Sequence, residues 1–222
     1  MGYSPEEYRE RKIQAMGPQP GQLHFELGNS LALLHLKWAQ FTALFAAGQP
    51  VLDLLDRTAR HFFLVVRIVL IDDIILHLCR LSDPPKSGRK ENLTVLHLSP
   101  LLRDPALAAR VRELCERARA ALEPAREYRN RQVAHTDVLT LRAEHPDPLP
   151  AVTRESIEGA LELLRDVLNS VESHYLNSTT AYEHGFAPRD AERLLDLLRL
   201  AEEADVADQD PDGGGSRPAT GV

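Results

Sequence analysis

REYRNRQVAHTD, residues 126–137, closes a long helical segment that starts near Asp104. Apolar or small residues recur through this segment at steps of three and four, which is the spacing of one helix face. They are Leu107, Val111, Leu114, Ala118, Leu122 and Ala125. The same spacing next reaches Arg129, so an arginine falls on the face that should be buried. Because a guanidinium keeps its charge and its unpaired burial costs roughly several kcal/mol, we expect Arg129 to meet a partner side chain, a ligand or another subunit.

The histidine of this stretch lies on a different helix face. At about 100° per residue, Tyr128, Arg131 and His135 lie about 120° round the helix axis from Arg129. One straight helix therefore cannot bring Arg129 and His135 together. Pro124 predicts a kink just before the stretch, because proline removes a backbone donor and clashes with the preceding turn. A bend, or a second copy of the helix, would have to unite the two side chains.

Helical periodicity extends through most of the chain, and no segment combines strand-like alternation with a hairpin turn. We predict an all-α fold, a helical bundle of about four long helices with shorter accessory helices. The long helices cover residues 22–45, the residues after Pro50 to about 81, 104–136 and 153–182, and shorter ones cover 4–16 and begin near Pro188. The break GPQPG at residues 17–21 separates an N-terminal extension, 1–21, from a helical domain, 22–204. Residues 205–222 form an acidic, Gly-rich tail that we expect to be disordered.

Charge is distributed unevenly over the 222 residues. The formal net charge is −7, but residues 201–222 hold six acids against one arginine, a net of −5. Residues 103–142 hold nine arginines against six acids, a net of +3. The acidic total argues against a general nucleic-acid coat, and DNA binding is not expected. The locally basic segment permits an anionic ligand.

Residues 62–81 form the most apolar run, which predicts a helix enclosed by other helices. The run contains five ionisable residues, which argue against a membrane span. They are Arg67, Asp72, Asp73, His77 and Arg80. Asp73, His77 and Arg80 share one helix face. This stripe is either a structural set of ion pairs that holds neighbouring helices, or a support for His135.

The two cysteines, Cys79 and Cys115, lie on apolar helix faces without CxxC spacing. They are typical of reduced core thiols, and the N-terminus lacks the plan of a signal peptide. Both observations predict a cytoplasmic protein. The sequence has no HExxH, no Cys/His cluster with zinc spacing and no Gly-rich phosphate loop beside a strand, so we expect neither a metal nor a cofactor.

A histidine and an arginine together can cleave RNA. The imidazole can take the proton of the 2′-hydroxyl or protonate the leaving 5′-oxygen. The guanidinium can fork onto the scissile phosphate and stabilise the charge that develops there. No metal is required, because RNA supplies its own nucleophile. Asn130 could hold the phosphate or orient the histidine, although Arg-x5-His spacing alone occurs by chance in many chains.

The segment RNRQVAH, residues 129–135, matches the Arg-polar-x4-His form of the signature motif of the HEPN superfamily (higher eukaryotes and prokaryotes nucleotide-binding). More narrowly, the chain resembles the phage abortive-infection, or AbiU-type, branch over roughly residues 22–185. Four stretches carry this resemblance: the Trp38 helix ending in Phe41 to Phe45, RLSDP at 80–84, NLT at 92–94, and RN at 129–130 through AHTD at 134–137.

The resemblance implies a HEPN-like bundle that dimerises through the motif-bearing helix, with a composite active site in which two histidines face each other. The implied activity is metal-independent endoribonuclease cleavage in phage defence or toxin–antitoxin systems, which leaves 2′,3′-cyclic phosphate ends. A nucleotidyltransferase-type antitoxin sometimes restrains such proteins. Arg129 would bind phosphate, Asn130 would assist and His135 would be the acid–base group. The supporting residues are Arg131, Asp137, Tyr128, Asp73, His77 and Arg80.

Many HEPN domains have lost catalysis, which leaves an alternative open. In that alternative the protein is a catalytically inactive dimeric module for interaction or for RNA or nucleotide binding. The motif would then stabilise the dimer through buried hydrogen bonds and cleave nothing.

Overall fold

The computed structural model describes residues 4–133, 149–184 and 189–209. Its α-helices in these ranges are α1 (Pro5–Met16), α2 (Pro18–Phe45), α3 (Gln49–Ser82), α4 (Pro105–Ala121), α5 (Glu123–Tyr128), α6 (Arg154–Leu176) and α7 (Arg189–Gln209). A π-helical turn, Arg129–Val133, follows α5, and 3-10 turns lie at Val95–His97, Ser99–Leu101 and Tyr182–His184. Two-residue strands β1 (Lys86–Ser87) and β2 (Lys90–Glu91) pair antiparallel. Regular structure in these ranges is helical apart from this small hairpin, so the all-α prediction is confirmed.

The chain divides into two compact units. The larger unit comprises Met1–Ala39 and Ile68–Phe186, and the smaller comprises Gln40–Arg67 and Ala187–Val222. Apolar stripes of α2, α3, α4 and α6 form the core of the larger unit, including Leu27, Leu31, Leu34, Ile74, Leu78, Val111, Leu164 and Leu168. The core of the smaller unit consists of Leu44, Phe45, Val51, Leu54, Leu55, Phe63, Ala191 and Leu195. The domain boundaries expected after residues 21 and 204 stay predictions, and α7 continues across the second of them to Gln209.

Helix α4 ends just before Pro124, where the sequence predicts a kink. Asp104 caps its N-terminus, where Oδ1 accepts a hydrogen bond from the backbone N–H of Ala106 at 2.8 Å. The helix stops at Ala121, and Leu122 leaves the helical backbone conformation with a ψ of 2°. Pro124 lies in the first turn of α5, where its missing N–H has no helical partner to lose. The predicted kink before the motif is confirmed.

The break before α2 is narrower than its sequence predicts. Gly17, with a φ of 97°, ends α1, and α2 begins immediately at Pro18. The prediction of a break over residues 17–21 was wrong because Pro18 and Pro20 both lie in the first turn of α2. Backbone N–H groups there have no helical partner, so proline loses no hydrogen bond. Gly21 allows α1 and α2 to touch, because a Cβ at this position would lie 2.6 Å from the α1 backbone.

The apolar run of α3 is mostly buried in its second half, whereas in its first half Phe63 is buried and most of its apolar neighbours are exposed. Ile74, Ile75, Leu78 and Leu81 are buried, whereas Phe62, Leu64, Val65, Ile68 and Val69 are each at least 50% exposed. The prediction that the whole run is enclosed is therefore wrong. Apolar residues on every side of a helix do not ensure that a partner covers each side, and no described residue covers this outer face. No helix in the described ranges is long and apolar enough to cross a membrane.

A buried polar cluster joins α1 to α6. The side chains of Lys12 and Glu172 are each 2% exposed, and they form an ion pair with Nζ 3.5 Å from Oε2. Glu172 also accepts hydrogen bonds from the Tyr8 hydroxyl at 2.9 Å and the Thr180 hydroxyl at 3.0 Å. A buried charge is tolerated when it is both paired and hydrogen-bonded, and this carboxylate meets both conditions.

His24, buried beside this cluster, makes stability depend on pH. Its Nε2 donates a hydrogen bond to the backbone oxygen of Leu168 at 2.9 Å. Burial, and then the charge of Lys12, lower the pKa of His24 from 6.5 to about 4. Between these values the unfolded chain binds a proton that the folded protein does not. The contribution of His24 to stability is therefore fully present above pH 6.5 and is lost as the pH drops toward 4.

Urea denaturation at about pH 7 and about pH 4.5 measures this loss. His24→Gln keeps a donor for Leu168 but does not titrate, so its free energy of unfolding should fall less between the two conditions. The remaining fall includes His77, whose pKa is also lowered to about 4. An equal loss in His24→Gln and in the wild type would show that His24 is not its source.

Candidate functional site

Arg129 finds its partner within the chain. Asp83 follows the last residue of α3, and its Oδ2 accepts a hydrogen bond from Nη1 of Arg129 at 2.8 Å. The two side chains are 17% and 21% exposed, so the ion pair is largely shielded from water. The prediction that Arg129 meets a partner group is confirmed. Of the three kinds of partner expected, the structure supplies a side chain of the same chain.

Arg126 contacts both the Asp83 carboxylate and Ser82, the last residue of α3. Its Nη2 donates to the backbone oxygen and to Oγ of Ser82 at 3.0 and 2.6 Å, and its Nη1 donates to the backbone oxygen of Arg119 at 2.8 Å. Its Nε lies 3.6 Å from Oδ1 of Asp83. Because the guanidinium is planar and its donors have a fixed geometry, these contacts fix α5 against the segment that carries Asp83.

Sequence reasoning did not assign Ser82, Asp83 or Arg126 to the site. Both stretches that contain them were recognisable, since Asp83 lies in RLSDP and Arg126 begins REYRNRQVAHTD. The sequence does not reveal that Asp83 and Arg129, 46 positions apart, touch each other. The sequence did offer one indication of this contact. RLSDP and REYRNRQVAHTD both carry the family resemblance, and they hold the opposite charges of Asp83 and Arg129.

Asn130 holds another edge of the Arg129 guanidinium. Its Oδ1 accepts a hydrogen bond from Nε of Arg129 at 3.1 Å. Both residues lie on the π-helical turn, a wide turn that occurs frequently at functional sites. Because a π turn holds more residues than an α turn, the predicted angle of 100° per residue does not apply beyond Arg129. Arg131, predicted as a supporting residue, is buried on this turn and pairs with Glu127 at 2.9 Å.

Three more of the predicted supporting residues line one cavity beside this ion pair. Asp73, His77 and Arg80 of α3 surround a volume of about 470 Å³, and Asp83 also lines it. Asp83 therefore belongs both to the Arg129 ion pair and to the cavity wall. Asp73 forms an ion pair with Lys37 of α2. This pair is the kind of link between helices that the structural interpretation of the stripe predicts.

His77 is held neutral in the cavity wall. Its Nε2 lies 2.7 Å from Oγ of Ser30, and its Nδ1 lies 3.4 Å from Nζ of Lys37. Burial, and then the charge of Lys37, lower the pKa of His77 to about 4. Both ring nitrogens are thus engaged within the chain, and a neutral imidazole at neutral pH is not a general acid.

Two acidic groups near the ion pair keep their protons at neutral pH. Burial raises the pKa of Cys79 to about 11, although the charges of Arg129 and Arg126 oppose this effect. Burial, and then the charge of Asp72, raise the pKa of Tyr128. A protonated thiol is a poor nucleophile and a protonated phenol is not a base. The described chemistry of the site therefore centres on the guanidinium.

The structure brings Arg129 and Asn130 together and places Asp73, His77 and Arg80 on the neighbouring cavity. His135 and Asp137 lie within residues 134–148, outside the described residues, and their roles stay predictions. The cavity lining combines two cations, Lys37 and Arg80, with three carboxylates, those of Asp73, Asp83 and Glu91. The group suited to an oxyanion such as a phosphate is therefore the oriented guanidinium of Arg129.

We expect Asp83→Asn to lower the free energy of unfolding by about 1–3 kcal/mol, because the change removes the negative charge shared by two largely shielded guanidiniums. Asp196→Asn is the matched control. Asp196 pairs with Arg199 on the surface of α7 and is 69% exposed, so its loss should cost less than about 0.5 kcal/mol. Urea denaturation measures the free energy of unfolding of both variants. Equal losses would show that the Asp83 ion pairs contribute no more to stability than an exposed pair does.

The comparison with known families covers most of the chain. The family model HEPN_AbiU2, described as AbiU2, matches residues 21–194. The matched range contains the RLSDP segment, the Arg129 motif and every described residue of the cavity. No curated protein and no solved structure matches the chain. The match extends over more than half of the sequence, and the chain therefore belongs to the AbiU2 family of HEPN abortive-infection domains.

Proposed function

We propose that the protein is a metal-independent endoribonuclease of a phage-defence or toxin–antitoxin system, and that it acts as a homodimer with a composite active site. One observation carries the proposal. The arginine of the HEPN motif is held by Asp83 on one edge and by Asn130 on another, so that its guanidinium is fixed in place beside a polar cavity. The roles proposed are phosphate binding for Arg129, assistance for Asn130 and acid–base catalysis for His135.

Pre-orientation of the guanidinium supports this role. A guanidinium has five N–H donors, and its bonds to Asp83 and Asn130 use one donor each. The other donors are available to the phosphate as far as the described residues are concerned. A cation that is already fixed loses little conformational entropy when it stabilises charge in the transition state.

The adjoining cavity supplies space for the nucleotide next to the scissile phosphate. Lys37 and Arg80 lie at its wall with Asn92. The amide nitrogen of Asn92 already donates to Pro84 and Ser87, which leaves its Oδ1 to accept from a base edge or a ribose hydroxyl. Leu33 and Leu93 are 47% and 43% exposed and give the cavity an apolar side. An apolar side next to hydrogen-bonding groups suits the base of an unstacked nucleotide, which favours single-stranded RNA as the substrate.

The reaction proposed is transesterification within the RNA. The 2′-oxygen attacks the phosphorus, the bond from phosphorus to the 5′-oxygen breaks, and the products are a 2′,3′-cyclic phosphate and a 5′-hydroxyl. One group must take the proton from the 2′-hydroxyl and another must give a proton to the leaving oxygen. In a two-fold dimer His135 and its copy in the second protomer would supply these two groups.

Cleavage of a mixed RNA pool in EDTA by the wild type and by His135→Ala tests the proposal. We expect the wild type to cleave and to leave 2′,3′-cyclic phosphate ends, and His135→Ala to be inactive while it keeps the wild-type helical content by circular dichroism. EDTA chelates divalent metal ions, so contaminating metal-dependent nucleases are inactive in this assay.

Either of two results would overturn this function. Equal cleavage by both proteins would mean that the activity belongs to another site or to a contaminant. No cleavage by the wild type, with RNA binding retained, would instead support a catalytically inactive RNA-binding HEPN domain.

A further inference from the structure

The N-terminal part of the apolar run of α3 carries a face that no described residue covers. Five of its side chains are each at least 50% exposed: Phe62, Leu64, Val65, Ile68 and Val69. Large apolar side chains grouped in this way on a surface mark an interaction site. Which partner covers the face follows from the order of its residues along the helix.

The middle of this face has the spacing of a helix-packing stripe. His61, Val65, Ile68 and Asp72 follow one another at steps of four, three and four. Such steps place side chains on one side of a helix, along which a second helix can pack. The two apolar residues form the centre of the stripe, and one titratable residue lies at each end. His61 is exposed and Asp72 is half-buried.

The stripe has the same spacing in both directions, so it can pair with a copy of itself. A two-fold axis midway between Val65 and Ile68 would place these two residues opposite each other in an antiparallel pair of α3 helices. The same axis would place His61 of one copy opposite Asp72 of the other. A surface that is complementary to itself is what a two-fold dimer requires.

The charges at the two ends favour the antiparallel arrangement. Burial raises the pKa of Asp72, and no described cation opposes this shift. His61 of a second copy would bring this carboxylate a hydrogen-bond donor, which is also a positive charge when the ring is protonated. A parallel pair would instead place Asp72 against its own copy, and like charges in an interface repel each other.

The size of the face also suits a dimer. Five apolar side chains that are at least half exposed present roughly 400 Å² per protomer. Pairing two copies removes roughly twice that apolar area from water. Because about 65% of a homodimer interface is apolar, the whole interface would bury about 1,200 Å², which is the lower bound for a specific complex.

We propose that this face of α3 is an interface between two copies of the chain, in which the α3 helices pack antiparallel with His61 of each copy opposite Asp72 of the other. The inference rests on the homodimer of the proposed function, but it does not require catalysis. It concerns a helix other than the motif-bearing one, through which the family resemblance implies dimerisation.

This interface would pass beside the motif of each copy. Burial, and then the charge of Asp72, raise the pKa of Tyr128, which lies in the motif stretch 126–137. At a rise of 1.5 Å per residue, the two Asp72 residues would be about 16 Å apart along the paired helices. The two motif stretches would therefore approach the same interface, as a composite site requires.

Sedimentation equilibrium of the full chain without RNA tests the interface. We expect the wild type to dimerise with a dissociation constant of about 10 μM or below, and Val65→Glu to raise this constant at least about 100-fold, because the buried charge enters the interface twice. Leu197→Glu is the matched control. Leu197 of α7 is 55% exposed, against 58% for Val65, and its substitution should leave the constant unchanged. Circular dichroism checks that both variants are folded.

An exchange of charges tests the antiparallel register. His61→Asp would place two carboxylates opposite each other and should weaken the dimer at least about ten-fold. Asp72→Lys, added to His61→Asp, restores opposite charges in exchanged positions and should return the constant to within about three-fold of the wild type. The two positions are about 16 Å apart within one helix, so they cannot compensate each other inside a single chain.

Three results would overturn the inference. A wild type that stays monomeric at about 100 μM would assign the face to a different partner. A dimer that Val65→Glu leaves intact would have its interface on another surface, and RNA cleavage in EDTA by that dimer would keep the nuclease proposal standing. A dimer that His61→Asp weakens and that Asp72→Lys does not restore would contradict the antiparallel pairing.

Discussion

Arg129→Lys is expected to lower the rate of RNA cleavage by about 10²–10³-fold. Lysine keeps the positive charge and can still pair with Asp83, so the fold and the local ion pair should persist. An ammonium cannot fork onto two phosphate oxygens while it holds Asp83 and Asn130, because it lacks the planar arrangement of donors. Measured initial rates on one RNA, with the free energy of unfolding determined in parallel, separate this loss from misfolding.

Arg165→Lys is the control for Arg129→Lys. Arg165 also pairs with carboxylates, those of Glu162, Asp166 and Glu183, but it lies on α6 outside the cluster and its cavity. Its substitution should leave the cleavage rate within about two-fold of the wild type. A rate for Arg129→Lys equal to that of Arg165→Lys would remove Arg129 from phosphate binding.

Breaking the ion pair between Lys12 of α1 and Glu172 of α6 is expected to give the second large effect, a loss of stability. Lys12→Met and Glu172→Met should each lower the free energy of unfolding by about 3–5 kcal/mol, because each leaves one nearly fully buried charge without its partner. The double variant leaves neither charge behind. We therefore expect its loss to be smaller than the sum of the two single losses by at least about 1 kcal/mol.

Urea denaturation of the four proteins completes this double-mutant cycle. Strict additivity would show that Lys12 and Glu172 do not interact in solution. A loss below about 1 kcal/mol in both single variants would show that neither side chain is buried as the structure has it.

The helices and their buried faces follow from local pattern. The stripe from Leu107 to Ala125 lies on the core side of α4 and α5, and Thr153 caps α6 as expected of a residue that precedes an apolar series. The kink at Pro124 also follows from one residue. These features depend on neighbours within a few positions, which the sequence displays directly.

The site depends on contacts that the sequence does not display. Periodicity places Arg129 on a buried face and so predicts a partner, but it does not select Asp83, which comes from another helix end. The π-helical turn changes the angular positions after Arg129, and no residue type marks such a turn in advance.

The spacing of apolar residues also does not predict which isolated polar residues are buried. Lys12 lies in the segment predicted as an N-terminal extension, on a short helix with few apolar residues, and yet it is 1% exposed. Conversely, Phe62 and Val65 belong to the most apolar run and are exposed. Burial is set by which helices pack together, and apolar content alone does not determine that packing.

The most direct test of the composite site is a subunit-mixing assay. Wild type is mixed with a nine-fold excess of His135→Ala under conditions that exchange subunits, and RNA cleavage in EDTA is compared with that of the same amount of unmixed wild type. If the histidines of both protomers serve one site, a mixed dimer holds only one of them and is inactive. Only about one wild-type protomer in ten then remains in a wild-type dimer, so we predict that cleavage falls to roughly a tenth of the unmixed rate. An unchanged rate, although subunits exchange, would show that each protomer carries its own complete site and would contradict the composite site.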